Sequence, residues 1–170
     1  MEYGGKSPLI AKDCFVADTA TIVGDVDLGV GSSIWFSSSV RAESERIQVG
    51  FRSNIQDNCS VHTDVGFPCE IGDSVSVGHG AIVHGARIGS NCLIGMGSII
   101  LNGSRIGSNC IIGAGSLVVQ GTEIPENTLA LGSPAKVKRS VTAEEIEKIS
   151  ENALHYYEFR AAYLSMKKSL

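Results

Sequence analysis

The fold is decided by residues 88–119, IGSNCLIGMGSIILNGSRIGSNCIIGAGSLVV, in which a branched aliphatic residue recurs at every sixth position. These aliphatic positions are Ile88, Ile94, Ile100, Ile106, Ile112 and Val118. The residue four positions after an aliphatic one is small, as at Cys92, Ser98, Ser104, Cys110 and Ser116. A six-residue period matches neither a helix nor a long alternating strand. It is typical of short strands that are joined by tight corners and keep their aliphatic residues inside.

The same period extends in both directions from that stretch. Upstream it runs through Ile10, Val16, Ile22, Leu28, Ile34 and Val40, then through Val49, Ile55 and Val61 after a three-residue insertion, and through Ile71, Val77 and Val83 after a four-residue insertion. Downstream it reaches Ile124 and Ala130. Three strands make one coil of about 18 residues, so the pattern predicts a parallel β-helix, a triangular prism of stacked coils, over residues 1–139. Glycines are expected at its corners, where φ is positive.

Residues 140–170 are predicted to form an amphipathic helix that packs on the same domain or against a neighbouring chain. Thr142 and Glu145 have the spacing of a capping box at the start of this helix. Its apolar face would contain Ile146, Ile149, Ala153, Tyr156 or Tyr157, and Leu164. Trp35 is expected to pack against an interface or against this helix.

Composition excludes several classes of function. The 170 residues carry a net charge of −4 without long runs of either sign, which argues against a nucleic-acid partner or a polybasic membrane anchor. The chain shows no signal peptide and no apolar run of about 18 residues, so we expect a cytoplasmic protein without membrane contact. Five cysteines argue against a disulfide framework. Four of them belong to the small inward column and should be packed free thiols, whereas Cys69 is expected to be more accessible.

Three of the four histidines take related places in the repeat. Arg41, His62 and His84 each follow the anchor of the third strand in successive coils, so they should stack in one column, about 4.8 Å apart. His79 follows an anchor of the second strand by two residues and should stack beside Asp57, in another column.

Stacked His62 and His84 can both reach one metal ion, at a Zn–N distance of about 2.0–2.1 Å. His79 is awkward to reach within one chain. If prisms pack about a threefold axis, the His79 column of one chain can face the His62 and His84 column of the next. Three imidazoles with an open fourth position are typical of a catalytic zinc site, although Fe²⁺ or Co²⁺ also suits them.

The motifs resemble those of the γ-class carbonic anhydrases. They are Asn54-Ile55-Gln56-Asp57, then His62, Val77-Gly78-His79 and His84-Gly85, with Val40-Arg41 upstream and Leu131-Gly132-Ser133-Pro134-Ala135 downstream. The resemblance covers residues from about 8 to the C-terminus. It implies a left-handed coil and a homotrimer in which His62 and His84 of one chain and His79 of its neighbour bind zinc.

The resemblance also implies roles for four further residues. Gln56 would orient the attacking hydroxide, Arg41 and Asp57 would form a charged pair between chains, and Tyr156 would lie near the metal. Two features depart from the family pattern. Glu43 follows Arg41-Ala42 where the family commonly has Arg-Gly-Asp, and the loop after His62 is short and lacks a clear proton-shuttling glutamate, as in the shortened-loop subgroup.

The implied reaction is hydroxide attack on CO₂ to give bicarbonate, with metal-ion catalysis. Met96 and Leu101 would supply an apolar wall for CO₂ or simply pack at an interface. Two alternatives stay open. One is an acyl-CoA transferase or thioesterase, which needs one histidine as general base and gives no reason for two to stack. The other is a trimeric scaffold that binds metal without catalysis.

Overall fold

The computed structural model of the protein describes residues 1–167. In chain order its strands are β1 (Leu9–Ile10), β2 (Phe15–Val16), β3 (Thr21–Leu28), β4 (Ser33–Ile34), β5 (Ser39–Val49), β6 (Asn54–Ile55), β7 (Ser60–His62), β8 (Cys69–Ile71), β9 (Ser76–Val77), β10 (Ile82–His84), β11 (Arg87–Ile88), β12 (Leu93–Ile94), β13 (Ile99–Ile100), β14 (Arg105–Ile106), β15 (Ile111–Ile112), β16 (Leu117–Val118), β17 (Glu123–Ile124), β18 (Thr128–Gly132) and β19 (Ala135–Ser140). One helix, α1 (Ala143–Lys167), follows them.

The strands stack as three parallel faces of a β-helix, as the six-residue period predicts. Face 1 contains β1, β8, β11, β14 and β17, and face 3 contains β7, β10, β13 and β16. The long strands β3 and β5 run round the corner between these two faces and join them into one sheet. Face 2 contains β2, β4, β6, β9, β12, β15 and β18. The antiparallel strand β19 pairs with β18 and ends this face.

The core is the predicted column of anchors. From Leu28 to Ala130 the anchors are at most 4 % exposed, and the small residues of the second column, from Ser32 to Ser116, are buried beside them. The prediction is wrong for Ile10, which is 45 % exposed because it lies in the first coil, where β1 pairs on one side only.

The corners use asparagine and serine as well as the predicted glycine. Asn91, Asn109 and Asn127 have φ values of 55° to 56°, a left-handed conformation that asparagine tolerates better than most residues. They stack in a ladder, since Asn91 Nδ2 donates to Asn109 Oδ1 at 2.8 Å and Asn109 Nδ2 donates to Asn127 Oδ1 at 3.0 Å. Ser150 of α1 donates to Asn91 Oδ1 at 2.8 Å and ties the helix to this corner.

Helix α1 packs along the outside of face 2. Its aromatic residues meet Phe15 and Trp35, and the ring centroid of Trp35 is 5.4 Å from that of Tyr156 and 5.2 Å from that of Tyr163. Ile149 and Ala153 of the predicted apolar face are buried. The predicted helix is confirmed to Lys167, and residues 168–170 lie outside the described residues. No helix among residues 1–167 is long and apolar enough to cross a membrane.

The predicted capping box begins this helix. Glu145 N–H donates to Thr142 Oγ1 at 3.2 Å, and Thr142 N–H donates to Glu145 Oε2 at 2.9 Å. Arg139 donates to both carboxylate oxygens of Glu145 at 2.7 Å. These bonds, chiefly those from Arg139, lower the pKa of Glu145 to about 2.

All five cysteines are buried free thiols. The expectation that Cys69 is accessible is wrong, because it belongs to β8 and points into the core at 0 % exposure instead of lying in the loop. Burial raises the pKa of Cys69 to about 12 and that of Cys59 to about 11, so both stay protonated at neutral pH.

We expect Glu145→Gln to lower the melting temperature at pH 7, because it removes a carboxylate whose pKa is lower in the folded than in the unfolded chain. That contribution is present above the unfolded pKa of about 4.3 and is lost as the pH falls toward 2. Melting curves between pH 2 and pH 7 should show the variant and the wild type converging at low pH. A constant difference across this range would contradict the capping geometry.

We also expect the native thiols to resist alkylation by iodoacetamide at pH 8, because each is buried and the nucleophilic thiolate is suppressed at Cys59 and Cys69. Mass spectrometry after a short exposure should show unmodified protein. The same chain in guanidinium chloride should take up five groups. Rapid native labelling at Cys69 would contradict the buried placement of β8.

Candidate metal centre

Two histidines stand side by side on face 3. Strand β5 pairs Arg41 with His62 of β7, and β7 pairs His62 with His84 of β10, as the column analysis predicts. The backbone hydrogen bonds of three successive coils therefore bring these side chains together. The rings of His62 and His84 lie with their centroids 5.0 Å apart.

The outer partners fix the proton of each imidazole. His62 Nε2 lies 3.0 Å from Glu43 Oε2, and His84 Nδ1 lies 2.6 Å from Asn102 Oδ1. Both partner oxygens are acceptors, so each neutral imidazole places its single N–H on the outer nitrogen. Asn102 Nδ2 donates to Asp64 Oδ2 at 3.3 Å, which turns its amide oxygen toward His84. Arg41 donates to the other oxygen of Glu43.

The inner nitrogens are therefore left with lone pairs that face each other. His62 Nδ1 and His84 Nε2 are 3.0 Å apart. Two lone pairs at this distance repel each other unless a proton or a metal cation lies between them. Two ligands of a tetrahedral zinc ion, each about 2.0–2.1 Å from the metal, are about 3.3 Å apart. The separation and the donor atoms of this pair therefore fit two ligands of one metal ion.

His79 occupies the separate column that the sequence predicts. Asp57 Oδ2 lies 2.9 Å from His79 Nδ1 and holds the proton there, which leaves Nε2 with its lone pair. Tyr156 Oη lies 3.3 Å from that nitrogen. Burial, together with the charge of Asp57, raises the pKa of Tyr156, so its hydroxyl remains a donor at neutral pH.

The three predicted ligands do not meet within one chain. Among residues 1–167 no group of three or more His, Cys, Asp or Glu side chains is placed to hold a metal ion. This agrees with the prediction that His79 is awkward to reach from the pair. Its side chain is 43 % exposed, so it is available to another molecule.

Gln56 directly follows β6 of face 2 and lines the same cavity as His79. It is 5 % exposed, and its Nε2 donates to Asn54 Oδ1 at 3.1 Å, while Asn54 Nδ2 donates to Ser76 Oγ at 2.9 Å. This relay fixes the amide of Gln56. The side of Gln56 and His79 opens onto a cavity of about 440 Å³, whose walls are largely apolar and include Met96.

The predicted pair of Arg41 and Asp57 is divided between two faces. Within one chain Arg41 bonds to Glu43, and Asp57 bonds to His79 and accepts from the Phe36 N–H at 3.0 Å. A contact between Arg41 and Asp57 of different chains stays a prediction. Both side chains are partly exposed.

Three residues of the site are given no role from the sequence. Glu43 and Asn54 are noted only as parts of the family motifs, and Asn102 is not singled out. The sequence contained one indication of the contact between Asn102 and His84, which is the glycine Gly85 directly after His84. A Cβ at Gly85 would lie 2.4 Å from Asn102 Oδ1, so glycine leaves the space through which Asn102 approaches His84.

Comparison with known proteins agrees with these features. Residues 85–120 match the family model described as bacterial transferase hexapeptide (six repeats). A Methanocaldococcus jannaschii protein named "Probable carbonic anhydrase" is 53 % identical over 94 % of this chain and 100 % of its own length. The Arabidopsis thaliana protein "Gamma carbonic anhydrase 2, mitochondrial" is 42 % identical over 92 % of this chain and 58 % of its own.

A solved structure supports the fold. The X-ray structure of a Bacillus cereus protein described as "putative acetyltransferase" superimposes with a TM-score of 0.96 at 46 % identity, over 97 % of this chain and 96 % of that one. The family is identified by the 53 % identity to the Methanocaldococcus jannaschii protein, which extends over nearly the whole length of both chains. This chain belongs to the γ-class carbonic anhydrase-like family of hexapeptide-repeat proteins.

Proposed function

We propose that this protein is a metal-dependent carbonic anhydrase that interconverts CO₂ and bicarbonate. The observation that carries the proposal is the pair of inward lone pairs on His62 and His84, 3.0 Å apart, with both outer nitrogens tied to acceptors. The names of the relatives supply the reaction.

The metal would be held between chains of a homotrimer. His62 and His84 of one chain provide two imidazoles, and His79 of a neighbouring copy provides the third. Zinc is the expected metal, and Fe²⁺ or Co²⁺ suits the same ligands. Bound there, a zinc ion lowers the pKa of water to about 7 and thereby supplies hydroxide at neutral pH for attack on CO₂.

The remaining residues have positioning roles. Glu43 and Asn102 hold the two imidazoles in the tautomers that bind metal, as carboxylates and carbonyls do around many metal sites. Asp57 does the same for His79. Gln56, whose amide N–H donates to Asn54, would orient the hydroxide with its amide oxygen. Met96 and its apolar neighbours offer CO₂ a surface without competing hydrogen bonds.

The surface of face 3 next to the histidine pair supports the binding of a second copy of this chain. On face 3 the outward residues change from Ser39 and Ser60 to Ile82, Ile99 and Leu117 in successive coils. Ile82 is 37 % exposed and Met96 is 59 % exposed. An aliphatic column beside an incomplete metal site suits burial against a second copy of the chain. In that assembly Arg41 of one chain would pair with Asp57 of the next.

One observation favours a second candidate, the hydrolysis of an acyl thioester. The cavity beside His79 measures about 440 Å³ and is more than CO₂ requires. His79 lines this cavity, and with its proton held on Nδ1 by Asp57 its Nε2 is a basic nitrogen that the Tyr156 hydroxyl contacts at 3.3 Å. A trimer that binds metal without turnover is the remaining possibility. Metal content, CO₂ hydration and thioester hydrolysis, measured on one sample, distinguish these three candidate functions.

We expect the wild-type protein to bind one zinc ion per chain and to accelerate CO₂ hydration in stopped-flow measurements. His79→Ala should lower kcat/KM by at least about 100-fold and reduce the bound metal, since it removes one of three ligands. His155→Ala is the matched control, because that exposed imidazole of α1 packs on the ring of Phe159, with centroids 4.1 Å apart, and is not a proposed ligand. Metal content is measured by plasma emission spectrometry on the same samples.

Full metal loading without hydration activity would contradict the carbonic anhydrase assignment. Thioester hydrolysis by the same sample would then support the second candidate, and its absence would leave the scaffold.

We expect Asn102→Ala to weaken zinc binding by about 10- to 100-fold, because His84 loses the acceptor that fixes its tautomer. Competition with a chromophoric chelator gives the affinity. Asn109→Ala is the control, since it breaks the corner ladder at a distance from the histidines and should lower the melting temperature without changing zinc affinity. Equal zinc affinity in the two variants would exclude the positioning role of Asn102.

A further inference from the structure

A small cleft with a positive lining lies at the corner between faces 3 and 1. It measures about 160 Å³ and is lined by the loop residues Phe67 and Pro68, by Gly85 and Gly103, and by Arg87 and Arg105. We call it the basic cleft. None of the proposed metal ligands, and neither of the partners that orient the histidine pair, lines it.

The insertion after His62 forms one wall of the basic cleft. Asp64 and Phe67 pair across a tight turn, and the ring of Phe67 then lies over the corner of the next coils. A Cβ at Gly103 would be 3.2 Å from a ring carbon of Phe67, and one at Gly85 would be 2.7 Å from the Phe67 Cβ. Glycine at both positions therefore allows the Phe67 loop to lie close to the corner of the coils. It also leaves the part of the cleft that faces this loop free of side chains.

The other wall carries two arginines side by side. Strands β11 and β14 place Arg87 directly beside Arg105, and like charges in register repel each other. Glu70 and Glu123 are the next residues on either side of this pair, and Glu70 is 3.2 Å from Arg87. Within residues 1–167 no acidic side chain is in salt-bridge contact with Arg105.

The grooves on the two sides of the arginine pair differ in the charge of the residues that line them. The wider groove on the outer side is lined by three glutamates, Glu70, Glu123 and Glu126, together with the two arginines. The basic cleft is lined by the same two arginines and by no acidic residue. The residues that line the cleft therefore carry only positive charge, and the nearest carboxylates, Glu45 on Gly66 and Glu70 on Arg87, lie at its edges.

We propose that the basic cleft binds a small oxyanion, of the chemistry shared by phosphate and bicarbonate, between the guanidinium groups of Arg87 and Arg105. Such groups present several N–H donors in a plane that matches two oxygens of one anion. A volume of about 160 Å³ lies below the roughly 300–1,000 Å³ of sites for drug-sized ligands, which excludes a nucleotide-sized ligand. The proposal is independent of the carbonic anhydrase assignment.

The test is titration of the metal-loaded full-length protein with inorganic phosphate and, separately, with sodium bicarbonate, followed by isothermal calorimetry at constant ionic strength. Arg105→Gln should weaken binding by about tenfold or more, because it removes a charged donor that no carboxylate holds in a salt bridge. Glu123→Gln should strengthen binding, since it removes the acidic neighbour of Arg105. Arg46→Gln is the control, because Arg46 lies on the same corner but pairs with Asp27 at 2.7 Å.

The His79→Ala variant separates this site from the metal. It lacks a proposed zinc ligand and should retain oxyanion binding. Loss of binding in His79→Ala together with normal binding in Arg105→Gln would assign the anion to the metal and overturn the proposal. Equal effects of Arg46→Gln and Arg105→Gln, or no saturable binding of either anion, would overturn it as well. Tighter binding of one anion than of the other identifies which oxyanion the cleft prefers.

Discussion

The structure depends on the hydrogen-bonded register between successive coils. Each short strand pairs in parallel with the equivalent strand one coil away, so a position in the repeat becomes a column in space. The two- and three-residue strands have little stability alone. Those inside the stack are held because both of their edges are paired and their anchors are buried. This register brings His62 and His84, 22 residues apart in sequence, to adjacent places without any dedicated loop.

Departures from the six-residue period concentrate at one corner. Between faces 3 and 1 the spacing of anchors changes from Val40 to Val49, from Val61 to Ile71 and from Val83 to Ile88, whereas the other two corners keep six residues throughout. The longer connections supply Glu43 for His62, and Asp64 for the amide that orients His84. They also build the wall of the basic cleft. The irregular corner carries the partners of His62 and His84, whereas Gln56, Asp57 and His79 lie at a regular corner.

The difference between the regular corners and the irregular corner explains which features could be predicted from the sequence. Columns follow from counting residues along the repeat, so the stacking of His62 on His84 and of Asp57 on His79 could be derived from the sequence alone. The capping box of α1 could also be derived, because its two hydrogen bonds are local. The partners at the irregular corner could not, since they depend on the conformation of inserted residues that no period fixes. The prediction for Cys69 is wrong for the same reason, because the end of the insertion and the start of β8 cannot be located by counting.

The histidine pair links metal binding to assembly. In a single chain the acceptors Glu43 and Asn102 hold two lone pairs against each other, and this arrangement is favourable only when a cation or a proton neutralises their repulsion. A divalent ion held only by these two imidazoles needs a further protein ligand. The same chain cannot supply it, because Asp57 fixes His79 on another face. On the proposed assembly a neighbouring copy provides that ligand and covers the aliphatic column of face 3. By thermodynamic linkage, metal would then favour the trimer to the same extent that the trimer favours metal. If the proposed assembly forms, the separation of His79 from the histidine pair within one chain would confine catalysis to the assembled protein.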